Sequence, residues 1–167
     1  MTQALRLLKA KASGYPYAVT FEATHHGPSL ETPAFFVELG SSPAQWEEEG
    51  PATVVADTLL AMRARDDPVL LGVGGGHYVP RLTDVALGRR VSFGHLIPSY
   101  AVETLSDTVF REAVAKTPGV RLAYVHRKAL KAPDRRRMLD LVEEAGLRVV
   151  RQRDLEPLED PARGKDL

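Results

Sequence analysis

The 167-residue sequence contains no cysteine. No disulfide can staple this chain and no thiolate can ligate a metal, so a metal site must be built from His, Asp or Glu. The absence fits a reducing compartment, and the cytoplasm is the expected location. Long apolar runs are missing too. No stretch approaches the ~20 residues that a membrane-spanning helix requires. Residues 1–12 carry Leu5, Leu7 and Leu8 as their large apolar side chains, which makes a short amphipathic helix and not the apolar region of a signal peptide. Net charge is also lacking, with 22 basic residues against 22 acidic ones. Bulk attraction to a polyanion is therefore excluded, and contact with nucleic acid would have to come from a local patch. No internal repeat is visible.

What is present is the composition of an ordinary globule, 44% hydrophobic and 26% charged. A chain of this length buries roughly 70% of its unfolded surface and needs no staple. Periodicity and turn chemistry predict an amphipathic helix over residues 1–12, then strands over 15–23 and 34–39, the second largely buried. No helix fits between these two strands, so an antiparallel or bent pairing is expected. Ser42, Pro43 and Gln45 carry the signature of a capping box. A helix over 51–64 is expected to turn Val55, Leu59 and Met62 to the core, and Trp46 is expected to pack there as well. Strands at 69–73, 91–96, 120–125 and 147–150 then alternate with helices at 82–87, 106–116 and from Pro133. Val109, Phe110, Ala113 and Val114 are to be buried from the second of these. Gly146 suits the position just past the last. The alternation predicts a single α/β domain over 1–150, a three-layer sandwich with a mostly parallel mixed sheet. Residues 151–167 read as a polar, mobile tail.

The apolar run Leu70–Val73 breaks into Gly74-Gly75-Gly76, followed by His77 and Tyr78. Loops just past the carboxyl ends of parallel strands are the usual ligand sites of open α/β sheets. Two further segments end beside Gly or Pro and carry histidine: Glu22–Pro28, with His25 and His26, and Phe93–Pro98, with His95. Four of the five histidines thus fall at predicted strand ends, with Glu22 and Glu38 nearby. Such a set suits either a metal-free acid–base cluster or a His-plus-carboxylate metal site with an open position for water. Its spacing matches no standard metal motif. The glycines form neither a dinucleotide fingerprint nor a P-loop. They read either as a tight strand exit or as backbone amides presented to a phosphate or an oxyanion. Tyr78 reads either as a stacking surface for a base or as wall packing. A basic run, Arg127, Lys128, Lys131, Arg135, Arg136 and Arg137, opens the last helix. Cations are mildly unfavourable there, which points to an anionic partner as much as to a solvated face.

Taken together, the runs Glu22–Pro28, Pro33–Ser42 with Trp46, Gly74–Tyr78 with Pro80, and Phe93–His95 with Pro98 and Tyr100 resemble the archaeal and plant type D-aminoacyl-tRNA deacylase family in order and approximate spacing. The resemblance covers residues 15–101. It implies a phosphorylase/hydrolase-like fold, zinc as cofactor, tRNA as partner, and hydrolysis of the ester between a D-amino acid and tRNA. Members of that family carry a longer N-terminal portion with its own His and Ser motifs, so the resemblance implies either a short homologue or a truncated one. Under this reading His25, His77 and Glu38 are catalytic, and His26, His95 and Glu22 are metal ligands. Gly75, Gly76, Tyr78, Arg81, Arg135 and Arg136 bind substrate. Two other readings stay open at this point, a metal-dependent hydrolase of another small ester or amide and a non-catalytic tRNA-binding module. The oligomeric state, monomer or homodimer, is not legible.

Overall fold

A computed structural model describes residues 1–25, 27, 30–40 and 42–159. Strands β1 (Val69–Val73), β2 (Ser92–Ile97), β3 (Leu122–Val125) and β4 (Arg148–Val150) form one sheet in the order β2-β1-β3-β4. Every neighbouring pair is parallel, so the sheet is not mixed as expected. The apolar run of β1 lies in the interior of the sheet and is buried on both faces, as parallel strands require. Leu70 joins Leu82, Val85 and Ala86 of helix α4 (Pro80–Gly88), together with Leu5 of helix α1 (Thr2–Lys11). Leu71 and Val73 join Phe110 of helix α6 (Asp107–Ala115) and Met138, Leu141 and Val142 of helix α7 (Ala132–Glu144). These two clusters on opposite faces make the three layers.

The caps hold where they were read at α6 and α7. The Val109 amide donates to Ser106 Oγ at 3.2 Å, and Gly146 ends α7 at φ +72°. Val109 itself points to solvent, while Phe110 carries the burial on that helix. Ser42 makes no side-chain cap on the short helix α2 (Pro43–Trp46).

The first sixty residues depart most from expectation. No strand forms over 15–23 or 34–39, because neither segment gains a ladder partner among the described residues. Segment 34–39 is not buried, and Phe36 is 60% exposed. Trp46 is exposed to the same 60%, and Leu59 and Leu60 of helix α3 (Glu49–Ala61) also face outward. Helix α3 packs on α1, and its buried residues are Pro51 and Thr58; of the expected stripe, Leu59 is exposed and Val55 and Met62 are only half-buried. Residues 151–159 are no mobile tail. Leu155 is buried, the Arg90 amide donates to the Glu156 carbonyl at 2.9 Å, and the Leu158 amide donates to the Gly88 carbonyl at 3.1 Å. The rest of that predicted tail lies outside the described residues.

One ion-pair cluster anchors the N-terminal helix. Arg6 reaches Asp67 at 2.9 Å and also donates to the carbonyls of Ala86, Arg89 and Val91. Arg65 and Arg90 approach the same carboxylate at 3.0 and 3.6 Å. The Asp67 side chain is only 2% exposed. Burial alone would push its carboxyl up, but hydrogen bonds from Arg65 and Arg6 and their charges overcome this and hold it below the usual range. A depressed carboxyl contributes its stability above the unfolded value near ~4, and the contribution is lost as the pH falls through the folded one. Removing one partner of a buried pair costs about 3–5 kcal/mol. Asp67→Ala should therefore lower the melting temperature by on the order of 10 °C at pH 7, as calorimetry would read. The gap between the two proteins should narrow only below pH ~4.

Candidate active site

The connections after β1 and β3 leave the sheet on opposite faces, one into α4 and the other into α7. Between such neighbours a crevice opens at the carboxyl ends of the strands. The glycine loop, His77 and His126 stand at this edge.

The loop is held in an unusual shape. Gly74 and Gly75 adopt φ +97° and +112°, and a side chain on Gly74 would come within 3.1 Å of the His126 carbonyl. Val79 then takes φ 36° and ψ 54°, the left-handed region, with its side chain fully buried. A β-branched residue there carries strain of order 1–3 kcal/mol. The turn delivers His77 to the outer side of the sheet.

The segment around Glu22 meets it there. β2 is an edge strand, and its outer hydrogen-bonding groups are taken by other parts of the chain. Thr2 Oγ1 accepts from the Phe93 amide at 2.8 Å, Thr24 Oγ1 accepts from the Leu96 amide at 3.0 Å, and the Thr24 amide donates to the Leu96 carbonyl at 2.8 Å. The Ala23 amide donates to the His77 carbonyl at 2.7 Å. These bonds set Glu22 between two imidazoles. Its Oε2 lies 3.5 Å from His77 Nε2 and 3.7 Å from His25 Nε2, and the two rings meet edge-on at 4.6 Å between centroids. His25 Nδ1 is 2.6 Å from the Ala23 carbonyl, which can only accept, so the proton sits on Nδ1. In the neutral ring Nε2 then keeps its lone pair, facing Glu22. Donor atoms of Glu22, His25 and His77 all lie within 4.8 Å of one another. Two donors on a tetrahedral ion with bonds of ~2.1 Å stand about 3.4 Å apart, so this His-His-Glu set fits zinc and leaves a position open. The carbonyl behind His25 is the kind of outer partner that orients a ligand.

The other residues singled out from the sequence are dispersed. Glu38 is not part of the group formed by Glu22, His25 and His77; it lines an apolar groove with Tyr15, Tyr17, Val54 and Val55. His26 lies outside the described residues. His95 belongs to a different environment. Between Phe93 and Leu96 β2 carries one residue more than the matching stretch Leu70–Gly72 of β1. At this bulge His95 Nδ1 reaches Thr117 Oγ1 at 2.9 Å, and Gly94 leaves no room for a Cβ against the same threonine. The Thr117 hydroxyl gives its proton to the Ala113 carbonyl, so His95 is the donor. Gly75 cannot serve an oxyanion, because its amide already donates to Ser99 Oγ at 2.9 Å. Gly76 is exposed, with open space where a side chain would stand. Tyr78 is 56% exposed and meets the His77 ring edge-on at 5.0 Å, which rules out simple wall packing. Arg81 is committed to Tyr124 Oη at 3.1 Å and Gln152 Oε1 at 2.5 Å. Arg137 is likewise committed to the carbonyls of Val102 and Leu105 and to Asp107. Arg127 and Lys128, on a 3-10 turn directly after β3, are exposed, as are Lys131 and Arg136; Arg135 is half-buried.

His126 escaped the sequence reading. It follows the last residue of β3, the same strand-end position that singled out His77, and its Nδ1 is buried with no partner among the described residues.

Comparison with known proteins places these residues in context. The profile of a family described as D-aminoacyl-tRNA deacylase matches residues 1–150. A D-aminoacyl-tRNA deacylase of Methanosarcina acetivorans is 40% identical over 147 residues, 87% of this chain and 49% of its own. One of Pyrococcus furiosus is 36% identical over 138 residues, 81% of this chain and 51% of its own. The chain thus spans about half the length of these curated relatives. A crystal structure of a conserved protein of unknown function superposes with TM-score 0.84 at 29% identity, covering 93% of this chain and 57% of that one.

Two imidazoles outside the cluster generate a test. Burial, then Lys116, hold His95 below the usual imidazole range against an opposing pull from Glu112. Burial, then Arg81 and Lys128, do the same to His126. A lowered histidine binds protons more readily in the unfolded chain, so stability should fall as the pH drops below ~6.5. Urea midpoints measured from pH 7.5 to 5 should decline, and the decline should be shallower in the double variant His95→Gln/His126→Gln.

Proposed function

The chain belongs to the D-aminoacyl-tRNA deacylase family, and on that premise we propose that it hydrolyses the ester joining a D-amino acid to tRNA. The observation that carries this reading is the convergence of Glu22, His25 and His77 at the rim of the strand ends. Zinc is the proposed cofactor, held by those three side chains, and when bound it would supply a water acidic enough to ionise near neutral pH.

The chain's own residues account for the rest. Hydrolysis forms a bond from a water oxygen to the aminoacyl carbonyl carbon and breaks the bond from that carbon to the ribose oxygen. The Glu22 oxygen that does not hold the ion takes the water's proton and passes it to the departing ribose oxygen, which leaves as the hydroxyl. The Ala23 carbonyl keeps His25 in one tautomer, so its Nε2 lone pair stays directed into the cluster with Glu22 and His77. The Gly76 amide faces the carbonyl oxygen as negative charge develops on it, a contribution of about 3 kcal/mol for one such donor elsewhere. Tyr78 offers its exposed ring to the terminal base. Arg127 and Lys128 on the turn past β3, with Lys131, Arg135 and Arg136 around the start of α7, would hold tRNA phosphates, supplying locally the positive charge the chain lacks in sum.

D-tyrosyl-tRNA should release D-tyrosine at a rate that chelator lowers and zinc restores, with L-tyrosyl-tRNA turned over far more slowly. His77→Ala should cut that rate by about a hundredfold or more without unfolding the protein. Release equal to the uncatalysed rate would rule out the reading for this chain alone. Affinity for tRNA should fall linearly with log salt. Replacing Arg127, Lys128 and Lys131 by Ala should flatten that slope by about one for each cation removed. An unchanged slope would remove the basic turn from the interface.

A further inference from the structure

Ser99, just past β2, ties the loop after β1 to the turn after β3 through one side chain. It opens helix α5 (Ser99–Val102), two residues past β2. Its backbone amide donates to the Gly75 carbonyl at 2.8 Å, and its hydroxyl oxygen accepts from the Gly75 amide at 2.9 Å. The hydroxyl proton goes to the carbonyl of Ala129, the last residue of the 3-10 turn that follows β3, at 2.8 Å. One hydroxyl proton serves one acceptor, so these two bonds fix its direction. Gly75 is thereby held from both its amide and its carbonyl, in a backbone shape that L side chains avoid. The loop beyond it runs through Gly76 and His77 to Val79, the one non-glycine residue with positive φ among those described. A strained turn of this kind persists only where its surroundings over-determine it.

We propose that Ser99 is a positioning residue for the hydrolysis described above: by clamping Gly75 to the 3-10 turn that follows β3, it sets where the Gly76 amide and the His77 ring stand. The inference rests on that functional reading for its kinetic consequence but not for its structural one. Two amides report on the loop from a distance. The Val79 amide donates to the Gly76 carbonyl, and the Ala23 amide donates to the His77 carbonyl.

The test is amide hydrogen exchange of the full chain, paired with steady-state kinetics, for Ser99→Ala and Ser99→Thr. In Ser99→Ala, exchange at Val79 and Ala23 should quicken by about tenfold or more, with amides inside α7 unchanged. The kcat on D-tyrosyl-tRNA should fall by about tenfold or more while KM moves less than about twofold. Ser99→Thr keeps the hydroxyl and should restore both. Three results would overturn the proposal: unaltered exchange at Val79 and Ala23 in the alanine variant, acceleration spread equally through α7, or an equal kinetic loss in the threonine variant. If the unaltered chain releases no D-tyrosine, the functional reading fails on its own, and the exchange data alone decide whether Ser99 holds the loop.

Discussion

The hydrogen bonds that lay residues 20–24 along the outer side of the sheet are the constraint on which the candidate site depends. Thr24 bonds β2 twice, once from its backbone and once through its hydroxyl, and Ala23 takes the carbonyl of His77. Thr20 and the Phe21 amide are tied to the Thr83 hydroxyl on α4. None of this is a ladder, yet it does what a ladder does at an edge. It satisfies backbone groups that would otherwise be open to another chain. In the same stroke it brings a carboxylate and an imidazole from the first thirty residues against an imidazole from the seventies. Without those bonds Glu22 has no reason to stand near His77.

The electrostatics of the molecule are arranged by locality and not by sum. Opposite charges cancel over the whole chain, but the cations past β3 are gathered on a 3-10 turn and at the start of α7, where the helix dipole adds to them. Glu22, His25 and His77 gather instead on the other side of the glycine loop. A polyanion approaching the strand ends would meet attraction on one flank and reactive groups on the other. The guanidinium groups of Arg6, Arg81 and Arg137 take no part in this. They are bound up in carbonyls, a phenol and carboxylates, and they knit elements together.

The sequence made the second half of the fold legible. The apolar run of β1, the Ser106 cap, the glycine after α7 and the alternation of strand with helix are local signals, and each corresponds to what forms. The first half was misread because its signals depend on partners. Segment 34–39 has the composition of a buried strand, but a strand is defined by its neighbour, and no local pattern says whether one is present. The same limit explains Trp46 and Leu59, whose types predict burial and whose positions expose them. At the site, clustering of histidines at strand ends singled out His25 and His77 together with Glu22. Periodicity could not say that a bulge would turn His95 to Thr117, nor that Glu38 would line a separate groove. His126 was within reach, since it obeys the strand-end rule. Ser99 was not, because a serine at the start of a helix is ordinary until the loop it holds is seen.

The absence of a ladder around residues 20–25 also bears on how the molecule responds to heat. A strand in the interior of a sheet opens only when the whole domain does, whereas a segment held to an edge by a few hydrogen bonds and by two buried side chains, Phe21 and Ala23, opens at a lower free energy. Glu22 and His25 therefore belong to a less stable cooperative unit than His77, which is rooted between β1 and α4. As temperature rises, the candidate site should come apart while the sheet is still intact. The working range of the protein would then be set by a short peeling segment, well below the point where its core melts.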